Sequence, residues 1–233
     1  MPPAFAAPRR ALALACLLAL ALSLAGCLGG AGKPAVTVEQ YTLEYPPPAL
    51  GGLAALEQGL VVERFSVAQD LNGQAMVYRP SEYQRQVYAQ HRWRVNPADL
   101  CTDYLLRDLR ASGLFKAVFS YQSPGAARFR LEGAVQEFLE SDEPAGPRAA
   151  LSINLTLLDL SFPDLPRRLV FQRTYQESAP MPRVGAAELA QAMSQAFAQF
   201  SQKAITDVHQ AIKGRPGART GMDGSGGVPP AGH

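Results

Sequence analysis

The chain is 233 residues long, 47% apolar and 18% charged, with 22 Lys and Arg against 20 Asp and Glu. The whole positive excess resides in Arg9 and Arg10, so the remainder is formally neutral, which argues against an electrostatic nucleic-acid binder. The three cysteines, Cys16, Cys27 and Cys101, show no metal-type spacing.

Arg9 and Arg10 precede an uncharged run from Ala11 to Ala25, fifteen residues in all. That is the length of a secretory signal core and falls short of the roughly 20 residues a spanning helix needs. Leu24-Ala25-Gly26-Cys27 closes the run. Small residues before the cut fit a peptidase groove, and the cysteine after it supplies a thiol. The four residues resemble a lipobox, which implies cleavage before Cys27, a lipid on its sulfur and acylation of the new N-terminus. Buried methylenes contribute about 0.8 kcal/mol each, so two or more chains anchor stably. The competing readings are an ordinary secretory signal and an uncleaved helix; Gly29, Gly30 and Gly32 speak against the second. Leu28, where a retained inner-membrane lipoprotein of this type has aspartate, points to the outer membrane. With Cys16 removed and Cys27 lipidated, Cys101 has no cysteine to pair with and reads as a buried thiol.

Residues 1–26 are thus a signal peptide and 27–35 a flexible tether. Residues 36–212 are long enough for one globular domain. The tail, 213–233, follows: Gly214 to His233 holds seven glycines and three prolines, too little apolar content to order itself.

Within the domain, Tyr41 to Tyr45 alternates as a strand and stops at Pro46-Pro47-Pro48. Leu60 to Val67 is β-branched and apolar; Asn72-Gly73 is a turn signal that folds Ala75 to Tyr78 back as a hairpin arm. Tyr83 to Trp93 reads as an extended strand. Asn96-Pro97 starts a helix carrying Leu100, Tyr104, Leu105 and Leu109, and Ser112-Gly113 ends it. Phe115 to Tyr121 is a short strand. Segments around Phe129–Gln136, Leu151–Leu158 and Leu169–Tyr175 alternate, as in an antiparallel meander. A last helix begins near Gly185, with Leu189, Met193, Ala196, Phe197, Phe200, Ala204, Val208 and Ile212 on one stripe. The order implies an α+β fold, a mixed or mostly antiparallel sheet with two amphipathic helices packed on one face.

Chemistry has no visible seat. His91, His209 and His233 are scattered, no GxSxG elbow occurs, and Gly29 to Lys33 fails the phosphate-loop pattern because Cys27 and Pro34 occupy its key positions. Glu140, Asp142 and Glu143, beside Pro144 and Gly146, read as a solvated hairpin loop rather than a calcium loop. The sequence calls for no catalytic residue, no metal and no cofactor.

Tyr41-Thr-Leu, Leu60 to Val67, Met76-Val-Tyr-Arg79, the segment ending in Trp93, Pro97 and the helix with Leu105 and Leu109 resemble the ABC-type transport auxiliary lipoprotein family, which includes the lipoprotein of the paraquat-inducible (Pqi) system. The resemblance spans about Val38 to Ile212. It implies a non-catalytic outer-membrane lipoprotein facing the periplasm. Its partners would be an ABC permease, its ATPase and an MCE-domain substrate-binding subunit, and its copies would assemble as a ring. Such systems move lipids or other hydrophobic molecules across the envelope. Tyr78 and Trp93 read either as buried ring anchors or, with Arg79, as partner contacts. Arg92 and Arg94, flanking Trp93 in a strand, should point together away from its ring and suit a carboxylate or lipid phosphate. A stand-alone lipid- or ligand-binding lipoprotein is the alternative, and a hydrolase built from non-local residues a more distant one.

Overall fold

The computed structural model describes residues 37–123 and 127–217. The described residues from Val38 on belong to one compact unit. The signal, Cys27 and the tether to residue 35, together with the tail from 218 on, lie outside the described residues. The compact unit runs β1 (Glu39–Tyr41), β2 (Leu56–Val62), β3 (Ser66–Val67), β4 (Ala75–Arg79), β5 (Gln86–Trp93), α1 (Pro97–Ala111), β6 (Phe115–Ser120), β7 (Phe129–Glu143), β8 (Gly146–Asp159), α2 (Leu165–Arg168), β9 (Leu169–Pro180) and α3 (Ala186–Lys213). The architecture is α+β. Both long helices lie against the sheet, α3 over β9 and β8, α1 over β6 and β7.

β7 organises the sheet. One of its edges pairs antiparallel with β8, which pairs antiparallel with β9, giving the meander that the alternation predicts. Its other edge is shared in succession by β2, β3 and β4, all parallel to it. β6 then flanks β2, β5 flanks β4, and the three-residue β1 pairs with the far end of β5.

The helices form where capping and periodicity agree. The Asn96 side chain accepts the Ala98 N–H at 2.9 Å with Pro97 in the first turn, and Gly113, at φ +63°, ends α1 in a conformation open to glycine. All eight stripe residues named for α3 are fully buried. The stripe is covered from two sides, by the sheet and by the segment 42–55, which crosses the helices on its way from β1 to β2. That strap donates Glu44 N–H to Ser194 and lends the Ala54 carbonyl to His209. At its centre the buried Asp108 carboxylate accepts from Tyr45 Oη (2.6 Å), Ser201 Oγ (2.6 Å) and Arg107 Nε (2.8 Å), joining strap, α1 and α3.

Five expectations need correction. Asn72-Gly73 is no hairpin turn: β4 runs parallel to β7, as β2 and β3 do, and neither residue has the positive φ such a turn requires. Asn72 instead accepts from Asn96 and steadies the start of α1. Leu60 to Val67 is broken at Phe65, whose ring lies over Gly133 so closely that a Cβ there would sit 2.5 Å from it. β1 stops at Tyr41, where the strap begins, and β5 starts only at Gln86. Finally, Glu140 is not a loop residue. An extra residue at Gln136 breaks the alternation of β7, and the shifted register buries Phe138 and Glu140 while the hairpin turns beyond them, after Glu143.

Candidate partner-contact surface

The wing made by β1, β5 and β4 carries most of the residues singled out in the sequence. Trp93 is fully buried, its ring edge-on to Phe138 at 4.9 Å and its Nε1 without a hydrogen-bond partner among the described residues. Tyr78 is half-buried, donates to Gln86 and packs 5.2 Å from the Tyr88 ring. Arg79 is spanned across β7, bonding Glu137 Oε1 at 2.9 Å and Ser141 Oγ at 3.0 Å. Arg92, in register with Gln40 rather than Tyr41, alternates away from Trp93 and folds along its own strand onto the Tyr88 and His91 carbonyls. Arg94 lies just past the end of β5, exposed, its carbonyl held by Gln74. The strand thus brings Tyr78 beside Tyr88 and seats Trp93 in the core, but no contact joins Arg92 to Arg94.

What the structure adds is a row of rings across three strands. Tyr41 and His91 are 5.8 Å apart, His91 and Tyr88 5.8 Å, and the row ends at Tyr78. Acids hold two of its rings. Tyr41 donates to Glu39 at 2.6 Å, and Tyr88 donates to the buried Glu140 at 2.6 Å. The Glu39 bond, with burial, pushes the Tyr41 hydroxyl up to about 12. Burial, then the Glu140 bond, raises Tyr88 as well. Glu140 itself is raised: burial dominates, the Tyr88 and Gly185 contacts oppose it, and Asp142 adds to it.

The connection between β4 and β5 stands out from this row. Its Tyr83 is 91% exposed, Val87 at the start of β5 is 52% exposed, and among the described residues Arg85 bonds only the Glu82 and Gln84 carbonyls. Tyr83, Tyr88, His91 and Glu140 join the site through the fold rather than through the sequence pattern. A signal for the first two is nonetheless there: Tyr78, Tyr83, Tyr88 and Trp93 recur every five residues, on strand, tip, strand and strand. Glu140 was hidden by the bulge.

The arrangement offers rings, guanidinium groups and an exposed tip, the ingredients of a protein contact. Among the described residues no three His, Cys, Asp or Glu side chains come together as a metal site, and no helix is long and apolar enough to cross a membrane.

Comparisons fix the class. A crystal structure of a Xanthomonas campestris protein superposes with a TM-score of 0.68 at 21% identity, covering 75% of this chain and 96% of that one. A second solved structure, of an uncharacterized protein, gives 0.59 at 19% identity, covering 74% and 99%. Both share the fold. No curated protein sequence matches. The family model for the ABC-type transport auxiliary lipoprotein component matches residues 41–204, and the chain belongs to that family. It is therefore a transport auxiliary component, as the sequence resemblance implies.

Proposed function

We propose that this chain is a lipid-anchored accessory subunit of an ABC/MCE-type system that moves lipids or other hydrophobic molecules across the cell envelope. The observation that carries the reading is the family match over residues 41–204, which spans nearly the whole described domain. In this reading Cys27 bears the lipid, and the domain faces the periplasm from the outer membrane. It does no chemistry and works by holding an MCE-domain subunit whose permease and ATPase supply the energy. The wing is the contact: Tyr83 at its tip, Tyr78, Arg79, Arg92 and Arg94 along it, and Trp93 as the buried anchor that fixes β5. A ring of copies would need two unlike surfaces that meet head to tail, whereas a two-fold pair needs one self-complementary surface.

Two variants test this. Cys27→Ser is expected to leave the membrane fraction with its domain still folded and to lose function; full function without the lipid overturns the anchoring role. Arg92→Glu with Arg94→Glu is expected to weaken co-purification with the MCE subunit, and unchanged recovery removes those arginines from the contact.

One observation favours a second reading, a lipid- or ligand-binding lipoprotein acting alone. Leu158, Leu165, Pro166 and Leu169 line a groove of about 450 Å³ beside α2, with Leu165 67% exposed. Phospholipid retained through purification, and lost in Leu165→Ser, would support it over assembly with a partner.

A further inference from the structure

β9 is the longest strand edge the sheet leaves open among the described residues. It pairs only with β8, and its opposite edge runs twelve residues, Leu169 to Pro180. Among the described residues, the one side chain that bonds its backbone is Arg215, at the Leu169 carbonyl. The other borders are shorter or guarded: β1 has three residues, and on β6 Arg110 bonds the Val118 carbonyl at 3.0 Å. From Phe171 to Ala179 the β9 edge has no proline and no glycine to block pairing. Beside it along α3 runs an open polar groove of about 480 Å³ lined by Gln199, Gln202, Lys203, Thr206 and Asp207.

The side chains along this edge are arranged about Tyr175. Arg173 and Glu177 stand two residues to either side, Thr174 and Gln176 one, Gln172 and Ser178 three. We propose that β9 pairs antiparallel with β9 of a second copy of this chain, on a two-fold axis through Tyr175. In that register Arg173 lies opposite Glu177 of the second copy, and Glu177 opposite its Arg173. Arg173 is already bonded to Asp207, and Glu177 to Lys203 at 2.7 Å. Pairing therefore lines up Asp207, Arg173, then Glu177 and Lys203 of the second copy, four charges of alternating sign, twice per pair. Thr174 meets Gln176, and Gln172 meets Ser178, on the uncovered face of the sheet.

The charges also select the register. Centring the pair on Arg173 or on Glu177 would set that residue opposite itself, like charge against like, which is destabilising between facing strand residues. Centring it on Thr174 or Gln176 leaves both charges without an opposite partner. Only the Tyr175 register satisfies them all. A two-fold contact closes on itself and, unlike a head-to-tail ring, uses up the edge in one step.

Disulfide trapping of the full chain, extracted in mild detergent, tests the proposal. Facing Cβ atoms are about 4.5–5.5 Å apart and diagonal ones about 7–8 Å, so cysteines at 174 and 176 should cross-link and either alone should not. Thr174→Cys with Gln176→Cys is expected to give a dimer band on oxidation, above the wild-type background and above either single variant. Adding Arg173→Glu, or separately Glu177→Arg, places like charges opposite each other and should cut that band about five-fold or more. Mixing the two charge variants restores opposite charges on both sides of the axis. The two introduced side chains then face each other on one side, the native Arg173 and Glu177 on the other, and the band should return. Recovery on mixing also shows that both variants fold. The proposal is overturned by the absence of a dimer band, by equal cross-linking from one cysteine alone, by no recovery on mixing, by a ladder of larger species, or by an adduct with a different protein.

Discussion

In the β7–β8–β9 meander the decisive contacts are apolar. Leu151, Ile153, Leu155 and Leu157 from β8 and Phe197 and Phe200 from α3 are essentially without exposure, and their rings and branches fill one continuous core. The β1–β5–β4 wing sends Met76, Val77 and Trp93 into that core, while its outer residues meet as rings and polar groups: Tyr41 with Glu39, Tyr88 with Glu140, Tyr78 with Gln86. Apolar burial is non-directional and sums over area, so the meander is held by many small gains that no single polar change removes. The wing depends on a few directional bonds and ends in an exposed tip. Its outer residues should tolerate substitution with smaller losses than the core does.

The largest effect belongs to the meander. Phe200→Ala removes a ring packed 5.2 Å from Phe197 and 5.5 Å from Tyr175, and should cost about 4 kcal/mol in chemical denaturation. Asp108→Ala should follow at about 3 kcal/mol, since it strands the Tyr45 and Ser201 hydroxyls and the Arg107 guanidinium between strap and helices. A loss for Phe200→Ala no greater than that of the wing variants below would erase the distinction.

Acid sharpens the contrast at the opposite end of β7. Burial alone would raise Asp159, but the Arg128 guanidinium at 2.7 Å and the Ser161 hydroxyl and N–H outweigh it and hold the carboxyl at about 2. A depressed acid contributes stability that is complete above its ordinary value near 4 and fades as pH falls through 2. The contribution is about 2 kcal/mol, and Asp159→Asn should lower stability at pH 7 while flattening its fall between pH 4 and 2.

The same contrast explains what could be read from the residues in advance. The α3 stripe, the Asn96 cap and the meander were legible because one local rule decides each: a 3.6 period, an N-cap, a 2.0 period. Asn72-Gly73 misled because its neighbours on both sides are claimed by β7, far along the chain, and long-range pairing overrode a local turn preference. Glu140 misled because a single inserted residue at Gln136 inverts every side chain after it, and nothing in a lone sequence marks where a bulge falls. The residues of the proposed contact were half legible. Trp93 and Tyr78 stood out as aromatics, but whether a ring lies in the core or on a contact depends on strand order, which periodicity does not carry.

Tyr88→Phe probes the wing where it meets β7. It removes the hydroxyl from Glu140, whose other oxygen already lacks a partner among the described residues, and should cost about 1 kcal/mol at neutral pH. Because Glu140 is raised by its burial, its protonated form is the one the fold favours, and the stability tied to it is lost as pH rises through that raised value. The lost Tyr88 donor opposed the shift, so the penalty of Tyr88→Phe should shrink as pH falls below that raised value and grow as pH climbs above it. A pH-independent penalty would show that Glu140 does not titrate with the wing.

Tyr83→Ser should have the smallest effect on folding, within about 0.5 kcal/mol of the parent, because a side chain 91% exposed buries almost nothing. Its effect on association should be the reverse. An exposed tyrosine at a strand tip brings a rigid ring and one hydroxyl to a partner at low entropic cost, and such anchors carry more than about 1 kcal/mol when they seat. Co-purification with the proposed MCE-domain partner should therefore fall several-fold in Tyr83→Ser, while thermal unfolding stays at the parent midpoint. Phe200→Ala should show the opposite pattern, a lowered midpoint with binding kept in whatever fraction remains folded. If Tyr83→Ser binds as the parent does, the tip is not the contact, and the partner surface moves back along the wing to Arg79, Arg92 and Arg94.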